Sequence, residues 1–179
     1  GMSNSKRDYE KSNAAIVVTV RPEDCPDGPL SGIEFQRELE NKAFLAGGGE
    51  FYAPVQKLTS FLSTKHDRID SGITSSYLPG IRPASLAEFL PEWIVSEMKR
   101  GIQSFERKMR GFITGEAVMA GVETRTSSPV RVLRGEDFQC VNTKGLYAIG
   151  EGAGYAGGII SSAVDGVRCA DAIAEKSGL

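Results

Sequence analysis

The chain has 179 residues, enough for one domain with a proper core or two small ones, with 40% hydrophobic and 25% charged residues. Its 21 Lys+Arg against 23 Asp+Glu give a formal net charge of -2 without a basic block, which removes the counterion-release basis for nucleic-acid binding. No apolar run approaches the ~20 residues that cross a bilayer, and the first residues, GMSNSKRDYEKSN, are polar rather than signal-like; the expectation is a cytoplasmic protein with no membrane partner.

Gly1-Met2 reads as a scar ahead of a start codon or as the middle of a longer chain. Ala14 to Val20 (AAIVVTV) is a β-branched, nearly all-apolar run, predicting a strand buried on both faces. The loop RPEDCPDGP (21–29) follows, and Ser31 and Glu34 then stand at capping-box spacing ahead of a helix to about Ala46. Gly47, Gly48 and Gly49 offer the left-handed residue that ends it. Pro54 suits a first helical position, and Val55, Leu58, Phe61 and Leu62 predict a short helix. Residues 63–83 read as loop and hold the sole histidine, His66, in a polar setting that suits the surface. A second capping box, Ser85 to Glu88, opens a helical stretch that Pro91 breaks or restarts. The stripe Ile94, Met98, Ile102, Phe105 and Met109 is core packing, and Lys99, Arg100, Arg107 and Lys108 are a solvated face.

The last third reads as short strands, Val122 to Thr126, Val130 to Leu133 and Phe138 to Val141, and then Leu146 to Ile149. From Gly158 to Glu175 the positions Ile160, Ala163, Val164, Val167, Ala170 and Ala174 predict a terminal helix able to pack closely on a sheet. The fold class is therefore mixed α+β, with a strand and loop over 1–30, a helical and β region over 31–141, and a closing strand and helix over 142–179. Cys25, Cys140 and Cys169 are odd in number and widely spaced, so no disulfide framework or metal site is spelled out.

Between that last strand and helix lies GAGYAG (152–157), matching G-x-G-x-x-G letter for letter. Strand, glycine turn and helix is the setting in which unpaired amides meet a phosphate. A dinucleotide fold also needs a second strand bearing an acid about 20 positions on. Here Asp165 and Asp171 fall within the predicted helix, so the match fails as an opening Rossmann unit. Arg125 and Arg131, flanking Ser127-Ser128-Pro129, either clamp a substrate carboxylate or pair with acids such as Glu123 and Glu136.

"KGLYAIGEGAGYAGGIISSAVDGVRCADAIA" and, before it, "GVETRTSSPVRVLR" resemble the carboxy-terminal end of bacterial FAD-dependent dehydrogenases of the NAD(FAD)-utilizing type. "GPLSGIEFQRELENKAF", "FYAPVQ" and "LPEWIVSEM" extend the likeness more loosely over most of the chain. The resemblance implies the last third of a flavoprotein: part of a substrate or cap region, then the closing strand and helix of an FAD domain whose adenosine-binding part is a partner outside this sequence. It implies cofactor contacts from Gly150, Glu151, Gly152, Gly154, Gly157, Gly158, Ile159 and Ile160. Of these, Gly150-Glu151 would lie near the ribityl or pyrophosphate and the 157–160 corner at the flavin N1/C2=O edge, where a helix N-terminus favours negative charge. It further implies a small-molecule substrate contacted by Arg125, Ser127, Ser128, Arg131 and Tyr155, with NAD(P) as a candidate electron partner. FAD would belong to the full-length parent rather than to this fragment. The readings left beside it are a non-redox small-ligand or anion-binding module and a structural or assembly domain.

Overall fold

The computed structural model describes residues 6, 8, 11–25, 27–63 and 72–178; His66 and the Gly1-Met2 pair lie outside them. The fold is mixed α+β. Its elements run α1 (Ser31–Ala46), β1 (Ala53–Lys57), α2 (Leu58–Leu62), β2 (Ile81–Pro83), α3 (Glu92–Lys108), β3 (Val118–Ala120) and α4 (Ile159–Ser177), with single 3-10 turns at Pro22–Asp24 and Leu86–Glu88. The chain forms two compact units, residues 1–21 with 42–121, and residues 22–41 with 122–179.

The first unit is built on a three-stranded sheet of order β2-β1-β3. β1 runs parallel to β2, with Pro54 opposite Arg82, and antiparallel to β3, with Val55 opposite Ala120. The helix expected from Pro54 is thus a strand for its first residues. The alternation of backbone groups explains why proline is tolerated there. The Ala53 N–H bonds to Gly80 O toward β2, so the proline nitrogen faces the β3 side, where β3 has already ended and only the Gly121 N–H reaches back to Pro54 O. Pro83, read from sequence as loop, is the last residue of β2. The Ala84 N–H bonds inward to Val55 O, so the nitrogen of Pro83 lies on the open edge.

Val55, Leu58, Phe61, Leu86, Phe89, Leu90, Ile94, Val95 and Ile102 are buried and make the core of this unit; of the stripe expected to be core packing, Ile94 and Ile102 are buried, Met98 and Phe105 half-buried, and Met109, just past the end of α3, is 52% exposed. Gln56 is buried too, because its side-chain carbonyl accepts the Leu86 N–H at 3.1 Å and so satisfies an amide of the following turn. Ser85 forms no side-chain cap, contrary to its capping-box spacing. Lys99 also departs from the solvated-face expectation: its ammonium lies over the Phe61 ring at 5.5 Å and donates to Ser63 O. Residues Ala14 to Val20 make no ladder among the described residues, and Val17 is 64% exposed. β propensity alone does not make a strand when no neighbouring strand supplies its hydrogen bonds.

In the second unit, α1 starts where the Ser31 hydroxyl donates to the carbonyls of Gly28 and Cys25, in place of the expected capping box. α1, whose residues from Lys42 onward count with the first unit, ends where Gly48 and Gly49 turn to φ +93° and +77°, as expected of the glycine run. The predicted strands at 122–126, 130–133, 138–141 and 146–149 are absent among the described residues; only the isolated bridges Arg134 with Cys140 and Gln139 with Tyr147 form. These segments bond through side chains instead. The Gln36 amide donates to Thr124 O, and Thr124 and Arg125 donate to the Glu40 carboxylate. α4 forms as expected, but Ile160 is 76% and Val167 61% exposed, so its apolar stripe is uncovered among the described residues.

Candidate functional site

The glycine loop folds back on the segment after Ser127. Val132 N–H bonds to Ala153 O, the Ser128 hydroxyl donates to Gly152 O at 3.2 Å, Arg131 Nε donates to Gly154 O at 3.1 Å, and the Tyr155 hydroxyl donates to Val132 O at 3.0 Å. Between the two strips lies an open cleft of about 250 Å³, lined by Ser127, Ser128, Arg131, Glu151, Gly154, Tyr155, Ala156 and Gly157. Pockets that enclose a whole ligand run roughly 300–1,000 Å³, so a cleft of this size holds a small group or one portion of a larger molecule.

The three glycines of the motif differ in their reasons for being glycine. Gly154 adopts φ +81°, and a Cβ there would come within 2.5 Å of Val130 O and 3.0 Å of the Arg131 Cα. This glycine is demanded by the chain's own packing. Gly152 and Gly157 have no positive φ and nothing within 4 Å of an added Cβ. Neither conformation nor internal packing asks for glycine at these two positions. Gly150 is buried, and its N–H donates to Asp165 Oδ2 at 2.8 Å. The Gly158 N–H goes to the Ser161 hydroxyl at 3.1 Å, which takes that amide out of the expected amide corner. Ile159 and Ile160 are 89% and 76% exposed and are not among the residues lining the cleft.

Of the two arginines flanking the serine pair, only Arg131 reaches the cleft. Arg125 instead grips Glu40 through Nε and Nη2 at 2.8 and 3.0 Å, an acid 85 positions away that sequence spacing did not suggest. That grip, with the Thr124 hydroxyl, holds the Glu40 carboxyl down at about 2. Tyr155 lines the cleft but is pinned by its hydroxyl bond and by guanidinium groups within 3.7 Å (Arg134) and 5.1 Å (Arg131) of its ring centre.

Sequence reasoning missed Arg134 and Asp165. Arg134 donates from Nη2 to Asp165 Oδ1 at 2.6 Å and from Nη1 to Oδ2 at 2.8 Å, and Nη1 also reaches Ala148 O at 2.7 Å. The two side chains are 10% and 14% exposed. The guanidinium hydrogen bonds, together with the Gly150 N–H, hold the Asp165 carboxyl at about 2. Phe138, at φ +63° in the turn closed by the Arg134–Cys140 bridge, lies 4.4 Å from the same guanidinium. Cys140 and Cys169 are buried free cysteines, and burial raises the Cys169 thiol. Among the described residues no His/Cys/Asp/Glu group could hold a metal ion, and no helix is long and apolar enough to cross a membrane.

A family described as FAD-dependent protein, C-terminal domain-like, matches residues 1–126. The chain belongs to this family. The match of this FAD-dependent C-terminal domain-like family ends ahead of the glycine loop. Similarity to an uncharacterized protein of Clostridium beijerinckii spans the loop as well, at 45% identity over 177 residues, 98% of this chain and 33% of that protein. The chain thus spans about a third of the length of that relative.

Proposed function

We propose that the chain is the carboxy-terminal portion of an FAD-dependent oxidoreductase of the NAD(FAD)-utilizing dehydrogenase type, and that the cleft beside the α4 N-terminus is its share of the flavin and substrate site. The observation that carries this reading is Gly157, which lines the cleft beside that helix end with nothing within 4 Å of an added Cβ, within a chain of an FAD-dependent family. When bound, FAD supplies the electron-transfer chemistry. The chain's own residues do the holding. Gly157 admits close approach, and Glu151 stands at the cleft as a hydrogen-bond acceptor for ligand hydroxyls. Ile159 and Ile160 begin a helix whose N-terminal end stabilises negative charge. Arg131 and the Ser127 hydroxyl offer a carboxylate-bearing small molecule a charged donor and a neutral one. In this reading residues 31–141 belong to a substrate or cap region, and 142–179 close an FAD domain begun elsewhere in the protein. NAD(P) is the candidate electron partner.

Arg131, alone among the cationic side chains at the cleft, favours a second reading, a non-redox anion-binding module. One titration separates the two. The full-length protein should bind FAD with a changed flavin absorption spectrum, and Gly157→Leu, which fills the open approach, should weaken FAD binding at least ten-fold. Absence of flavin binding by the wild type overturns the oxidoreductase reading, and phosphate binding at the same cleft would replace it.

A further inference from the structure

We infer that Arg134 and Asp165 are a positioning pair that fixes the glycine loop against the start of α4 and so sets the shape of the cleft. Neither residue of the pair lines the cleft; Arg134 touches Tyr155, which does, and Asp165 holds Gly150, whose carbonyl accepts the Tyr155 N–H. Asp165, on the second turn of α4, receives the fork of Arg134 and the N–H of Gly150 on one carboxylate. Arg134 simultaneously holds Ala148 O, two residues before Gly150. The chain entering the loop is therefore gripped at a carbonyl and an amide by two oppositely charged groups that also grip each other.

The grip extends to the far side of the loop. The guanidinium lies 3.7 Å from the centre of the Tyr155 ring, and the Tyr155 N–H bonds back to Gly150 O at 3.2 Å. The five-residue turn from Gly150 to Gly154 is thus clamped at its entrance by Asp165 and at its exit by Tyr155, with Arg134 touching both clamps. Phe138 completes the enclosure of the guanidinium from a left-handed backbone conformation that a bulky residue rarely adopts.

Energetics favour positioning over bulk stability as the use of this arrangement. A shielded ion pair gains little net stability, because desolvating both charges offsets most of their attraction, whereas its geometry is strict. Lysine would keep the charge of Arg134 but has no planar fork, so it cannot hold both carboxylate oxygens and Ala148 O in one plane. Asparagine at 165 would keep an acceptor for Gly150 but lose the charge that orients the guanidinium.

The effect on flavin rests on the reading proposed above; the effect on the loop does not. Arg134→Lys and Asp165→Asn should be made in the full-length protein, and amide hydrogen exchange followed at 150–155 and at β1, with and without added FAD. Both variants should speed exchange at Gly150 and Tyr155 about ten-fold or more and leave β1 unchanged, with the double variant no worse than either single one. FAD binding should weaken in parallel, and Arg134→Lys should retain more of it than Arg134→Met. Loop exchange within two-fold of wild type in both single variants overturns the inference, as does loss of all cooperative unfolding in both, which would make the pair a general support of the fold. Faster loop exchange with FAD binding unchanged upholds the pair and counts against the flavin reading.

Discussion

Replacing Gly154 by alanine tests the claim that this glycine serves the chain while Gly157 serves a ligand. At φ +81° an alanine pays the left-handed penalty of roughly 1–2 kcal/mol. Its Cβ would also stand 2.5 Å from Val130 O and 3.0 Å from the Arg131 Cα, both backbone atoms that cannot rotate aside. Forcing the two strips apart costs a further ~1–3 kcal/mol. The sum, about 2–5 kcal/mol, is a large part of the ~5–15 kcal/mol that holds most domains folded, and corresponds to a melting temperature lower by about 10 °C. Gly157→Ala meets open space without strain and should change stability by less than about 1 kcal/mol. Urea unfolding of the two variants beside the wild type decides the matter. If Gly154→Ala unfolds within about 0.5 kcal/mol of wild type, or if both variants fall alike, the division of labour among the glycines is wrong.

Asp165 ties stability to acid. Its carboxyl is held at about 2 against an ordinary 3.8, chiefly by the Arg134 hydrogen bonds and then by the Gly150 N–H. Relative to its protonated form, the depressed carboxylate contributes about 2 kcal/mol, present above the ordinary 3.8 and lost as pH falls through about 2. Urea midpoints measured from pH 5 to pH 2 should fall more steeply for wild type than for Asp165→Asn, and parallel curves would contradict the pairing. On α4, Val164→Ser and Val167→Ser alter side chains that are exposed among the described residues. If the stripe is covered by the rest of a longer protein, these changes should lower that protein's melting temperature by several degrees; an unmoved transition would leave the stripe in solvent.

The helices were legible because their signal is local. α1, α3 and α4 each show apolar residues at helical spacing, and α1 meets its glycine stop. The sheet was not, because β1 to β3 are three to five residues long and too brief for alternation to register, and Pro54 fits a helix start as well as a strand facing a finished neighbour. The run from Ala14 to Val20 erred the other way: it has strand composition with no ladder. At the site, the glycine loop and the serine pair were visible as spelling, and the structure brings them to one cleft. What joins them was hidden. Arg134 meets an acid 31 positions on and Arg125 one 85 positions back, and a single sequence holds no local periodicity that couples residues so far apart.

Pro83 bears on how open the β2 edge is to pairing with another chain. The β2 edge is where another extended chain could add itself by backbone pairing, and there the edge offers three residues, of which the last has a ring where a donor would be. β3, on the opposite edge, is equally short. Among the described residues a recruited strand would find few consecutive backbone bonds on either edge, which disfavours edge-to-edge pairing.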